Sequence, residues 1–419
     1  MYYRIIIILF CLSAELMSAD FFSSFRDFSL KLYRDEEITF TGTEKINEWD
    51  RIFRLYIKLR EFRLQKLSDT EDLCDEIEEV IDDIGDNVIK ELSLYEKEFL
   101  EASLYGSLAY LNSSDPSLGM FRNVRRSKKM FDNLNKKYGT ADTGFGSALS
   151  EIATGMYFHD SFWVKSVLGY KGNILKGLKQ LDRIAYGGDI TKIEANLFLI
   201  EYFSNILKDH NSSVRYSKNL HDINPGSKYF TYIYARDLYH TGKVTKAYPL
   251  FKEINDDPGE KFYVYQYDAI IYEAMCLYIK GSIQDAEEVV SYASKIHDGY
   301  ILKKFRNEWV SSAKIRQEIV FRPQYLSGLN LNLSADELER TAFVYFDHGF
   351  FRETARVLEA LKKAGTDIEV IKFKTAVVMQ DWKKAEQIYE AHEQEFRSDP
   401  DRARLEIMKN IVSNHLELF

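Results

Sequence analysis

Proline and cysteine are scarce in this chain: six and three among 419 residues. With so few prolines, long stretches can run as helix, because proline removes a backbone donor and clashes with the preceding turn. Three cysteines cannot build the disulfide framework of a small secreted scaffold. Missing too is any run of alternating apolar and polar residues that would mark half-buried strands. No strongly basic module exists. The net charge is −9, and the one dense cationic run is RNVRRSKK at 122–129. An acidic surface repels phosphates, and one short cationic run reads as a solvated helix face. The expectation is no nucleic-acid partner.

Catalytic signatures are equally thin. The eight histidines stand at 159, 210, 221, 240, 297, 348, 392 and 415, and no two share a helix face as metal ligands would. HEQEF at 392–396 lacks the second histidine of a zinc-protease motif. Gly172 and Gly177 have the spacing that begins a phosphate loop, but Leu178 and Lys179 follow where Lys and Ser/Thr are needed, and no strand precedes them. GTADTGFG, from residue 139, reads as a helix start capped by Asp142 or Thr143. There is no Gly-x-Ser-x-Gly elbow. No cofactor and no metal are expected, and the chain does not read as an enzyme.

What is present is apolar and helical. Hydrophobic residues make up 45% of the chain, with 28 Tyr and 28 Phe, enough for a large core. At the N-terminus Arg4 precedes the apolar run Ile5–Leu12, and Ser18 and Ala19 offer a small-residue exit. This reads as a signal peptide over 1–19, too short in its apolar part to span a bilayer. Export to a periplasm or cell envelope is expected. An uncleaved N-terminal anchor with some membrane association, or a lipoprotein acylated at Cys11, are the alternatives. In 69–92, Leu73, Ile77, Val80, Ile81, Ile84 and Val88 mark one helix face, and ten acidic residues between Asp69 and Asp86 take the others. Cys74 and Cys276 both fall in apolar helical patterns and read as buried free thiols.

From Ala102 onward, helix, short turn and helix recur, punctuated by YGGD (186–189), NPGS (224–227) and DDPGE (256–260). The stretch 234–260 resembles a tetratricopeptide repeat, a helix–turn–helix unit of about 34 residues. Ala235 is its small residue on the first helix, Gly242 its turn glycine, Ala247 its small residue on the second helix, and Phe251 its aromatic. Pro258 falls one place early, and Pro249 stands inside the second helix, where it should kink or shift it. Second-helix positions of the same kind recur at 177, 214, 247, 286, 354 and 385, in steps of 37, 33, 39, 68 and 31. The double step leaves room for one degenerate unit, read at 303–320. A second, narrower resemblance, over 155–181, is to the inclusion-body-clearance family of tetratricopeptide proteins, which implies an adaptor.

The resemblance implies an all-α, right-handed superhelix of helix–turn–helix repeats over 102–419, and the apolar periodicity before it gives a helical region over 20–101. It also implies that first helices line a groove. Carried onto this chain, those positions are Tyr229, Tyr232, Arg236, Tyr239 and His240, then Asp268, Ile271, Met275 and Tyr278. Tyr and Arg supply contact area with polar tips. The expected role is an exported, non-catalytic scaffold that binds a protein or peptide partner. Alternatives are a cell-wall or glycan-active enzyme with a helical superhelix, as in lytic transglycosylases, and a lipid-anchored glycan-binding receptor.

Overall fold

A computed structural model describes residues 21, 28, 30–34, 44–65, 71–90, 92–112, 118–158, 172–189, 191–257, 264–296, 331–347, 351–366 and 368–416. The expected signal segment, Cys11, the degenerate unit at 303–320 and Pro258 lie outside them, as does most of 155–171. Among the described residues every regular element is helical. The chain divides into two compact units, Met1–Tyr202 with Pro400–Phe419, and Phe203–Asp399.

The first unit contains α1 (Glu44–Gln65), α2 (Glu71–Gly85), α3 (Leu94–Leu111), α4 (Leu118–Tyr138), α5 (Phe145–Phe158), α6 (Ile174–Gly187) and α7 (Thr191–Ile200). Helix α2 forms with Leu73, Ile77, Val80, Ile81 and Ile84 buried as the periodicity expects, but it ends at Gly85, and Val88 lies beyond it and is exposed. Helix α3 is buried along most of its length between α2, α4 and α5, with Lys97, Glu98 and Glu101 half-buried on one side of its first turns. Residue 102 therefore sits inside a core helix and marks no break. A capping box starts α3, with Glu96 N donating to Ser93 Oγ at 3.2 Å and Ser93 N to Glu96 Oε2 at 2.6 Å. Asp142 caps a different helix from the one expected. It lies in the 3-10 turn Asp142–Gly144 and accepts from Asp189 N at 3.2 Å and Thr191 N at 2.9 Å, which closes the start of α7.

Helix α18 (Arg402–Leu416) completes the first unit by packing on α5 and α6. Asn414 Oδ1 accepts from Ile174 N at 3.1 Å, and Asn410 Nδ2 donates to the Met156 carbonyl at 2.6 Å. The α5–α6 crossing is tight. A Cβ on Gly177 would sit 2.6 Å from the Ala148 carbonyl oxygen and 2.5 Å from Ile152 Cγ1.

The second unit is a succession of sequence-adjacent pairs. It holds α8 (His210–Ile223), α9 (Lys228–His240), α10 (Val244–Asp256), α11 (Val264–Ile279), α12 (Ile283–Ile296), α13 (Ala335–Asp347), α14 (Phe351–Lys363), α15 (Glu369–Val378), α16 (Trp382–Ala391) and α17 (Glu393–Ser398). From α8 to α12 each helix packs on the next, and α9 also packs on α11; α13 to α16 do the same, with α13 on α15. Ala235, Ala247, Ala274, Ala286, Ala342, Thr354 and Ala385 are all fully buried, so small residues occupy the interior where helices approach. Pro249 leaves α10 unbroken and faces solvent.

One turn closure recurs. After α9, Gly242 N donates to the Tyr239 carbonyl and Lys243 N to that of Leu238; after α11, Gly281 and Ser282 repeat it on Tyr278 and Leu277. Gly242 and Gly281 hold φ of 80° and 89°, the left-handed region that glycine enters without strain. After α15 the same closure forms with Gln380 at φ 60°.

Candidate functional site

The residues expected to line a groove lie on α9 and α11, and the structure uses much of that face to join the two helices. Tyr239 and Met275 are fully buried, with Tyr239 Oη 3.6 Å from Met275 Sδ. Tyr232 is buried as well and donates to Asp268 Oδ2 at 3.4 Å. Burial pushes its phenol well above the ordinary value, and the Asp268 charge adds to the effect. Ile271 is in the core. Tyr229, Arg236, His240, Asp268 and Tyr278 are half-buried. His240 Nε2 lies 3.0 Å from Tyr272 Oη, and Tyr272 stacks on Phe251 at 5.2 Å.

Beneath Arg236 and His240 is a polar cluster that the sequence did not announce. Asp237, fully buried on α9, accepts from Ser213 Oγ at 2.7 Å and lies 3.0 Å from His210 Nδ1. Ser204, in the π-helical turn Glu201–Ile206, sits 3.1 Å from the same His210 nitrogen and accepts from Arg236 Nη2 at 3.1 Å. The His210 ring stacks on His240 at 4.1 Å. Burial raises the Asp237 pKa; Arg236 and the hydroxyls of Ser213, Ser217 and Ser204 pull against it. Serine, histidine and aspartate thus meet, but not as a relay. A nucleophile–base–acid triad needs the serine and the carboxylate on opposite imidazole nitrogens. Here both are on Nδ1, and all three groups are buried. The cluster ties α8, α9 and the π turn together. Its trace in the sequence is slight: His210, Ser213 and Ser217 recur at three and four residues on one face of α8.

An open groove of about 640 Å³ runs between α14, α15 and α16. Leu358, Ala376, Met379 and Ile388 supply its apolar lining. Glu369, at its edge, pairs with Lys372 Nζ at 3.0 Å and lies 3.7 Å from His392 Nε2. Burial lowers the Lys372 pKa, and the neighbouring charges of Lys362 and Lys384 lower it further. These residues come from three helices, and none stands out in the sequence.

The remaining reactive groups are quiet. Burial, with Glu78 and Asp75 nearby, pushes the Cys74 thiol up to about 11, which keeps it protonated and unreactive. Cys276 is buried and free. Among the described residues no group of three or more His, Cys, Asp or Glu is placed to hold a metal ion, and no helix is long and apolar enough to cross a membrane. Comparison with protein-family models, with curated proteins and with solved structures gives no match to this chain.

Proposed function

We propose that the protein is a non-catalytic helical scaffold that holds a protein or peptide partner, and that residues 203–399 are tetratricopeptide-like hairpins continuing as a right-handed superhelix. The observation that carries the reading is the groove between α14, α15 and α16. Its volume of about 640 Å³ lies in the range of ligand-holding clefts. Its apolar floor with charged edges suits a short amphipathic segment. The burial of Asp237, His210 and the serines supports it from the other side, because the groups best suited to chemistry are occupied in joining helices. The half-buried Tyr229, Asp268 and Tyr278 extend the contact surface on α9 and α11. With the N-terminal apolar run, the setting is a cell envelope.

Site-specific photo-crosslinking tests this. A benzophenone side chain is placed at Gln387, which lines the groove, or at the exposed Lys383 on the same helix, and the full chain is incubated with envelope extract. The reading expects a discrete adduct at Gln387, absent at Lys383 and lost when Ile388→Asp is added. Equal labelling at both positions, or release of soluble muropeptides from purified peptidoglycan, overturns it.

A further inference from the structure

Two charge stripes of opposite sign border one face of the first unit. On α2 the exposed acids Asp75, Glu78 and Asp82, continued by Asp86 just past its end, recur at three- and four-residue steps, opposite the buried Leu73, Ile77, Val80 and Ile84. On α4 the exposed bases Arg122, Arg126, Lys129 and Lys136 follow at steps of four, three and seven, which keeps them on one side of the helix, opposite the buried Phe131 and Leu134. Among the described residues none of these four acids has a cation within 4 Å, and Arg122, Lys129 and Lys136 have no carboxylate within that distance. The acids of α2 that are paired are others: Glu76 to Lys58, and Glu79 and Asp83 to Arg51, all on the α1 side.

Helix α3 packs against both α2 and α4 and so separates the stripes, which open on one face. Arg126 covers the Tyr105 ring of α3 at 4.0 Å. Burial raises the Tyr105 pKa, Arg126 opposes, and the charges of Glu101, Asp82 and Glu78 reach the same phenol. Acid and base therefore flank Tyr105 without neutralising each other.

We propose that this face docks on the same face of a second copy, so that the α2 acids of each chain lie along the α4 bases of the other. A two-fold axis parallel to α3, lying in the plane of the interface, achieves this, since it turns one face onto the other and exchanges the two sides of the helix layer. Closed two-fold pairing of a self-complementary patch is the commonest form of association between identical chains. The stripes run about 17 and about 21 Å at 1.5 Å per residue. Three helices side by side span about 27 Å. Two such faces bury about 1,100 Å², the small end of specific interfaces. Exposed ion pairs each contribute little and are screened by salt, so the pair is weak and salt-sensitive. The docking uses no groove residue and stands whether or not the scaffold reading does.

Sedimentation velocity on the full chain decides it. At low ionic strength the wild type is expected to dimerise, and at high salt to become monomeric. Arg122→Glu/Lys129→Glu/Lys136→Glu and Asp75→Lys/Glu78→Lys/Asp82→Lys should each be monomeric alone and pair with one another when mixed. The neutral set Arg122→Gln/Lys129→Gln/Lys136→Gln should weaken the dimer at least tenfold, so the test survives if reversed charges disturb folding. A wild type that stays monomeric at low salt, a dimer indifferent to the neutral set, or a dependence on α4 without α2 overturns the proposal. The last outcome would point to an external polyanion.

Discussion

The two units are built by different routes. Among the described residues of the second, every major contact joins a helix to its neighbour in sequence or to the next but one. In the first, the closing element arrives from the far end of the chain. Asn414 satisfies the first amide of α6 across 240 residues, and Asn410 reaches Met156 across 254. Neighbour packing leaves a periodic signature in the sequence, because the same small residue is needed at each approach. A clasp made by single asparagines leaves none.

That contrast orders the expected effects. Among single substitutions the largest belongs to the buried carboxylate. Asp237→Ala strands His210 and the serine hydroxyls in the interior and should cost the second unit about 3–5 kcal/mol, the scale for breaking a buried polar pair, read by denaturant unfolding. The pH dependence carries a sign. Because the folded Asp237 pKa is raised, its protonated form is favoured by folding. That contribution is complete below the ordinary aspartate range and is lost as pH rises through the folded value. The stability advantage of wild type over Asp237→Asn should therefore shrink with rising pH across that window and then level off. A gap that widens with pH would contradict it.

Next in size is overpacking at a helix approach. Ala247 is fully buried, and Ala247→Leu should cost about 1–3 kcal/mol, whereas Ala391→Leu, exposed on α16, should change little. Equal effects at both positions would remove the close-approach argument. In the first unit Asn414→Ala leaves the buried amide of Ile174 without its acceptor and should cost about 1–3 kcal/mol, with the loss of amide protection centred on α6. The smallest effect is a gain. Gln380 holds φ 60° in a closure that uses glycine elsewhere, at Gly242, Gly281 and Gly365, so Gln380→Gly should stabilise by up to about 1 kcal/mol. A loss of stability would show the side chain to be needed.

The helical architecture and its small-residue positions were legible in the sequence because helix packing repeats the same steric demand. Gly242 was legible as a turn glycine, and the structure adds the reason, its positive φ. The tyrosines were harder. Tyr232 and Tyr239 look like surface residues by type, yet Asp268 and Met275 give their hydroxyls partners and let the rings go inside. The Asp142 cap on α7 is bridged across 49 residues and the Asp237 cluster across 24 to 27. Such pairings depend on which helices meet, which local spacing does not encode. The groove is hidden likewise, since its walls come from three helices.

Hydrogen exchange on the intact chain and on a chain ending at Asp399 tests this account most directly. Loss of α18 strips Leu405, Met408, Ile411 and Val412 from the core. At about 1.5–3 kcal/mol per buried side chain, that approaches the whole stability of an ordinary domain. The account predicts collapse of amide protection in α5 and α6, while α9 to α11 exchange as before. Unchanged protection in α5 and α6, or equal loss in α9 to α11, would contradict it.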